Sequence, residues 1–227
     1  MKALRLLSES KRYRYLQYRS RVSGDYVAGT LPFDWSTSLY NRSAIISKVV
    51  RIVGAKTYLE IGCETDVVFK AIDCPHKVGV DPDKGGTIRA TSDDFFAGNQ
   101  ETFDVIFIDG LHSYEQVRQD IFNAVKCLNE GGVILMHDCL PQNYTQQAMP
   151  RQATVWTGDV WKAVFEFKQN PEIDLRVVSM DYGVGILKVR ANSDRQDFGI
   201  TDFSGAEYGF FLENYEKLGL IGYEDID

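Results

Sequence analysis

Cysteine and proline are sparse, with four of the first and six of the second in 227 residues. The cysteines stand at 63, 74, 127 and 139 without a Cys-x-x-Cys pair. That count and spacing exclude a disulfide framework and a zinc knuckle, and leave free thiols of a reducing cytoplasm as the expectation. No apolar run approaches the ~20 residues a membrane-spanning helix needs. The start, MKALRLLSESKRYRYLQYRSR, lacks the long apolar core and small-residue cleavage site of a secretory signal. Positive charge is in deficit: 25 Lys+Arg against 32 Asp+Glu give a net charge of -7. This balance argues against a nucleic-acid binder held by phosphate contacts. Internal repeats and low-complexity stretches are also missing.

What is present is ordinary globular material, 44% hydrophobic and 25% charged. The length suits one large domain with appended parts. Residues 1–42 form a basic, aromatic arm, 43–190 a core and 191–227 an aromatic, acidic tail with one helix candidate at 206–218. Within the core, 43–53 has helical apolar spacing and ends at Gly54. Short β-type runs follow at 57–61, 77–80, 87–90, 103–108 and 133–136, with helices expected at 66–72 and 114–128 and Gly131-Gly132 ending the second. A further helix is expected at 159–168. The runs 175–180 and 184–189 are separated by Asp181-Tyr182-Gly183 alone. So short a link cannot be a parallel crossover, so that pair is an antiparallel hairpin. The alternation predicts an α/β, doubly wound, mostly parallel sheet of seven strands ending in that hairpin.

Ligands of open α/β sheets bind outside the carboxyl ends of the strands. Here those ends carry Glu60, Gly62, Cys63, Glu64 and Asp66; Asp81 and Asp83; Ser92, Asp93 and Asp94; Asp109, His112 and Ser113; and His137, Asp138 and Cys139. Helix capping accounts for Ser92 and Ser113, but not for an acid at every strand end. A dinucleotide site needs a glycine-rich turn whose N–H groups approach a pyrophosphate. The loop Gly62-Cys63-Glu64-Thr65-Asp66 instead offers carboxylates, which suit a ligand with a positive centre and no phosphate, such as the S-adenosylmethionine sulfonium. Asp81, about 20 residues beyond the first strand, is placed to accept bonds from ribose hydroxyls.

Glu60-Ile61-Gly62, Val80-Asp81-Pro82, the run from Phe107 through Ile108-Asp109-Gly110-Leu111-His112-Ser113 to Tyr114-Glu115, Gly131-Gly132-Val133 and His137-Asp138 resemble a class I S-adenosylmethionine-dependent methyltransferase. More narrowly, they resemble the bacterial small-molecule O-methyltransferase-like group with an Ile-Asp-Gly-x-His signature, over residues 43–190. The departure is the loss of the usual glycines after Gly62. The resemblance implies a Rossmann-like methyltransferase fold and transfer of a methyl group to a hydroxyl of a small molecule, such as a sugar or natural-product intermediate. It implies that Glu60 and Gly62 bound the methionine part of the cofactor, that Asp81 holds the ribose, that Ser92 and Asp93 lie near the adenine, and that Asp109 borders the reaction centre.

An alcohol acceptor must lose its proton, and His112 is the best-placed neutral base. The other route is a shared Mg²⁺ between Asp109 and Asp138 on neighbouring strands. Metal-dependent relatives add an oxygen ligand beside the second Asp, where this chain has Cys139, a poor ligand for a hard cation. His137 reads as a histidine packed under the site, and Trp161 as a core aromatic. The segment 141–157 and the arm around Phe33-Asp34-Trp35 are the expected acceptor contacts. A cytoplasmic protein with a small-molecule acceptor is expected, without nucleic acid or membrane, with the arm and tail as a candidate homodimer contact. The alternative is a non-catalytic cofactor binder with a degenerate glycine loop.

Overall fold

Residues 8–227 are described by the computed structural model, so the first seven residues of the basic arm lie outside it. The arm contains helix α1, Glu9–Ser23, stopped by Gly24 in the left-handed region, and a 3-10 turn at Trp35–Thr37. Helix α2 spans Arg42–Val53. Asn41 caps it by accepting the Ala44 N–H, and its Ile45, Ile46, Val49 and Val50 are buried. Then come β1 Thr57–Ile61, α3 Val67–Ala71, β2 His76–Val80, α4 Ser92–Gly98, β3 Phe103–Ile108 and α5 Tyr114–Lys126. The chain continues through β4 Leu128–Met136, α6 Tyr144–Gln147, α7 Trp161–Lys168, β5 Ile173–Val178, β6 Val184–Val189, α8 Tyr208–Asn214 and β7 Leu220–Ile221.

These strands form one seven-stranded sheet in the order β2-β1-β3-β4-β6-β5-β7. The first four are mutually parallel, and β6 runs antiparallel to both β4 and β5, which is the expected hairpin. Apolar, β-branched strands buried on both faces divide the core in two. On one face Leu59, Ile61, Ile106, Ile108 and Ile134 pack with α5 and α7; on the other Tyr58, Val105, Phe107 and Leu135 pack with α2 and α3.

Two expectations fail. The run 87–90 forms no strand; Ile88 makes one isolated parallel bridge to Val80. The segment before it is tied back on itself, because the Asp81 carboxylate accepts the Asp83 and Lys84 N–H groups and Asp66 accepts that of Gly86. The seventh strand comes instead from the tail, where β7 lies parallel to β5. Nor does Gly131-Gly132 end a helix. Helix α5 stops at Lys126, and both glycines sit inside β4, where the register against β3 shifts. A Cβ on Gly132 would stand 2.8 Å from the Asp104 carbonyl oxygen, so the bulge needs glycine.

The tail is seated by aromatics. Phe165 of α7 lies 4.9 Å from Phe198 and 5.0 Å from Phe210, ring centre to ring centre, and also packs against Phe203 and Phe211. Phe165→Ala removes the ring common to these pairs. It is expected to lower the unfolding free energy by about 3–5 kcal/mol in urea denaturation and to open residues 191–227 to proteolysis. A smaller loss with the tail still protected would show that the tail is held elsewhere.

Candidate active site

A cleft of about 720 Å³ opens at the carboxyl ends of β1, β2 and β3. Its wall includes Arg42, Gly62, Glu64, Asp81, Ser92, Asp93, Asp109, His112, Gln116, Arg151 and Trp156. Gly62 has φ 89°, and a Cβ there would fall 2.2 Å from the Asp109 carbonyl oxygen. Only glycine lets the ends of β1 and β3 approach this closely.

At one end of the cleft, the Asp81 carboxylate accepts backbone N–H groups of Glu64, Asp83 and Lys84 at 2.9, 2.8 and 2.9 Å. Burial opposes its charge, but these three bonds outweigh burial and hold its pKa below the usual carboxylate range. The acids of the first loop do not crowd the cleft as their number suggests. Asp66 turns to the Gly86 N–H and Lys70, and the exposed Glu64 side chain pairs with Lys84. Both residues take left-handed backbone, φ 46° for Glu64 and 62° for Asp66, where glycine is the easier fit. Nearby, the Gln116 amide lies 3.2 Å from Ser92 Oγ and 3.1 Å from both Asp93 and Asp120. Asp120 is fully buried with one oxygen unpartnered, and burial pushes its pKa up to about 6.

At the other end, four elements bring together three carboxylates, two imidazoles and a guanidinium. Arg42, the first residue of α2, donates from Nη1 to Asp109 Oδ2 at 2.7 Å and from Nε to Asp181 Oδ2 at 3.1 Å. Its Nη1 is also 3.0 Å from His137 Nδ1. The other nitrogen of His137 donates to the Asp181 carbonyl at 2.7 Å. His137 Nδ1 lies 3.1 Å from Asp138 Oδ1 and 3.4 Å from Asp109 Oδ1. His112 Nδ1 is 3.0 Å from both Asp138 Oδ2 and the Trp156 carbonyl oxygen, and its ring stacks on Trp156 at 5.4 Å. Burial opposes charge on His112, but its bonds to Asp109 and Asp138 prevail and push its pKa up to about 10. For Asp109, burial works upward and is overcome by His137, His112 and Arg42, which hold it far below the carboxylate range.

Asp109, His137 and Asp138 each offer one ligand atom, all within 4.8 Å of one another. An oxygen–nitrogen–oxygen set at that spacing fits one small divalent ion. His137, on the near side of Asp138, completes this set, whereas Cys139 is fully buried with Sγ directed at the Met136 carbonyl. His137 is buried under the site as expected, with Nδ1 turned to Asp109 and Asp138.

Of the residues read from sequence, the structure brings Gly62, Asp81, Ser92, Asp93, Asp109 and His112 to the cleft wall, with Asp138 against His112. Glu60 does not join them. It shares the Tyr58 face of β1, accepts the Tyr58 hydroxyl at 2.6 Å, and burial raises its pKa to about 7. Trp161 is fully buried, with its N–H on Gln147. The segment 141–157 does reach the cleft, through Arg151 and Trp156, while Phe33 and Trp35 pack on Tyr215 and Tyr182 and are absent from its wall. Sequence reasoning missed Arg42 and Asp181. Neither carried a signal in the sequence: they meet His137-Asp138 only because the start of α2 and the hairpin turn fold beside that strand end.

Residues 78–139 match the family model described as a methyltransferase domain, a span that carries Asp81, Ser92, Asp93, Asp109, His112, His137 and Asp138. None of the curated proteins matches the chain by sequence. Among solved structures, cofactor-bound Rv0187 from MTB is 13% identical, with 79% of this chain and 90% of that one covered and a TM-score of 0.51. TomG from Streptomyces achromogenes, an O-methyltransferase involved in tomaymycin synthesis and solved with SAM, is 13% identical over 82% and 91%, with a TM-score of 0.49. The O-methyltransferase from Bacillus cereus, solved with SAH, is 12% identical over 81% and 92%, with a TM-score of 0.48. At these identities the likeness is one of architecture: the chain has the Rossmann-like methyltransferase fold, with a methyltransferase-domain match over residues 78–139, which hold the ends of β2 and β3 at the cleft but not that of β1.

Proposed function

We propose that the protein transfers a methyl group from S-adenosylmethionine to a hydroxyl of a small molecule. The observation that carries this reading is the one cleft that places the Asp81 carboxylate at one end and the His112–Asp109–Asp138 cluster at the other. The residues present fit the cofactor. A volume of about 720 Å³ lies within the range of small-molecule sites. The three backbone bonds of Asp81 leave about one of a carboxylate's roughly four acceptor positions for a ribose hydroxyl. Ser92, Asp93 and Gln116 offer polar atoms to an adenine, and Gly62 and Asp109 border the methionine end. No run of glycine N–H groups awaits a pyrophosphate. The acidic loop does not favour the non-catalytic alternative, because its carboxylates are spent on Gly86, Lys70 and Lys84.

Methyl transfer is an in-line displacement, so holding donor and acceptor in contact supplies much of the rate. His112 takes the acceptor proton. Asp109 and Asp138 orient its ring and stabilise the imidazolium that results. The same pair makes His112 a strong base that is mostly protonated at neutral pH. A divalent ion held by Asp109, His137 and Asp138 would supply Lewis-acid activation of the hydroxyl. The acceptor reaches the cluster past Arg151 and Trp156.

Calorimetry is expected to show S-adenosylhomocysteine binding on the order of micromolar, about -8 kcal/mol. Asp81→Ala should weaken it by roughly 1.5–3 kcal/mol, the scale of hydrogen bonds to a charged group. Tight NADH binding with no response to S-adenosylhomocysteine would sink the reading.

With a responsive acceptor, His112→Ala should lower turnover by ~10²–10⁴-fold and leave cofactor binding nearly intact. In EDTA, wild-type turnover should climb with pH towards about 10, because the base form is gained only as His112 loses its proton. A rate already level at neutral pH would mean that Asp109 and Asp138 are engaged by something other than His112. Activity abolished by EDTA, with Asp138→Asn more damaging than His112→Ala, would give the proton to a metal instead.

A further inference from the structure

Two of the three groups that fit an ion already have a cation beside them. Arg42 Nη1 stands 2.7 Å from Asp109 Oδ2 and 3.0 Å from His137 Nδ1. This blocks the approach to the imidazole: Nε2 is committed to the Asp181 carbonyl, so Nδ1 is the one ring atom left for an ion, and the guanidinium stands against it. Charge acts in the same direction. An ion bonded to Nδ1 at ~2.1 Å would lie within about 5 Å of Arg42 Nη1, which is 3.0 Å from that nitrogen. A guanidinium keeps its proton at any working pH. Repulsion between single and double positive charges at that separation weakens binding roughly tenfold or more, even in a water-like dielectric.

Arg42 is also anchored. Its backbone N–H and its Nε–H both donate to Asp181 Oδ2, at 2.8 and 3.1 Å, and its Cα belongs to the first turn of α2. Its side chain is 30% exposed, so it can withdraw towards the cleft without unpacking the core.

We propose that Arg42 is a resident counter-cation of the Asp109–His137–Asp138 centre, which a divalent ion must displace in order to load. The guanidinium keeps these donors assembled without metal and sets the threshold for metal uptake. The inference shares Asp109 with the methyl-transfer reading and rests on it for the purpose of the centre.

Manganese binding to EDTA-stripped protein, followed by loss of the free-ion EPR signal, tests it. Wild type, Arg42→Ala and Arg42→Gln are compared, with S-adenosylhomocysteine calorimetry on each. Both variants should bind Mn²⁺ roughly tenfold tighter or more. Equal or weaker binding in folded variants, or no binding by any of the three proteins, overturns the proposal. The second titration reads the methyl-transfer reading separately: a wild type that ignores S-adenosylhomocysteine yet shows the Mn²⁺ difference loses that reading and keeps this one. The wild type supplies a check that needs no variant. Its Arg42 Nε–H NMR signal must shift on addition of Mg²⁺, and an unmoved signal overturns the displacement whether or not the variants fold.

Discussion

The ion network around Arg42 is the joint on which the cleft depends. One guanidinium ties the start of α2 to the end of β3 through Asp109 and to the β5–β6 turn through Asp181. His137 and Asp138 complete the knot from the end of β4. An unpaired buried carboxylate costs far more than a paired one, so these groups stay charged only because they share partners. The hydrophobic core fixes where the strands end; the network fixes which side chains meet there. A doubly wound sheet without it would still fold, but its β3 and β4 ends would carry loose acids in place of a centre.

The Asp81 end of the cleft is built the opposite way, with backbone as the partner. Asp81 organises its surroundings by accepting three N–H groups, and Asp66 pins the return of the same loop by accepting a fourth. Glycines in such a turn give a shape at no steric cost. Here Glu64 and Asp66 hold left-handed backbone, and the acid-to-amide bonds offset the strain of roughly a kcal/mol each that such positions carry. The loop is therefore a different solution to the same geometry. Its acids are tied up with the Gly86 N–H, Lys70 and Lys84, although Glu64 still borders the cleft beside Asp81, Ser92 and Asp93.

Most of the sheet could be read from the sequence because its strands are short apolar runs closed by acids and glycines. The hairpin was readable from a three-residue link. What escaped depended on contacts distant in the chain. The run 87–90 has strand-like residues, yet Asp66 and Asp81 curl the preceding segment, and that restraint comes from positions 6 to 21 residues earlier. Strand β7 has two residues and no periodicity to announce it. In the cleft wall, residues placed by strand ends could be read: Gly62, Asp81, Asp109 and His112, with Asp138 against His112. Those placed by packing could not. Arg42 lies 67 residues from Asp109 and Asp181 lies 139 from Arg42, and no local pattern marks either. Glu60 shows the converse case, since a residue near a strand end faces whichever side the alternation dictates, and Glu60 shares the face of Tyr58, whose hydroxyl it accepts, outside the cleft wall.

The origin of β7 has a consequence for how the chain acquires its fold. Strand β5 is an interior strand only because Leu220 and Ile221 pair with its far side. Until about 40 further residues have been synthesised, that side of β5 is a bare ladder of amide and carbonyl groups, open to pairing with another nascent copy. The segment that closes it is itself seated on α7, through Phe210 and Phe211 against Phe165, just before the turn leading to Leu220. The seal on the sheet is thus tied to the packing of the tail, and whatever displaces the tail bares that edge of β5.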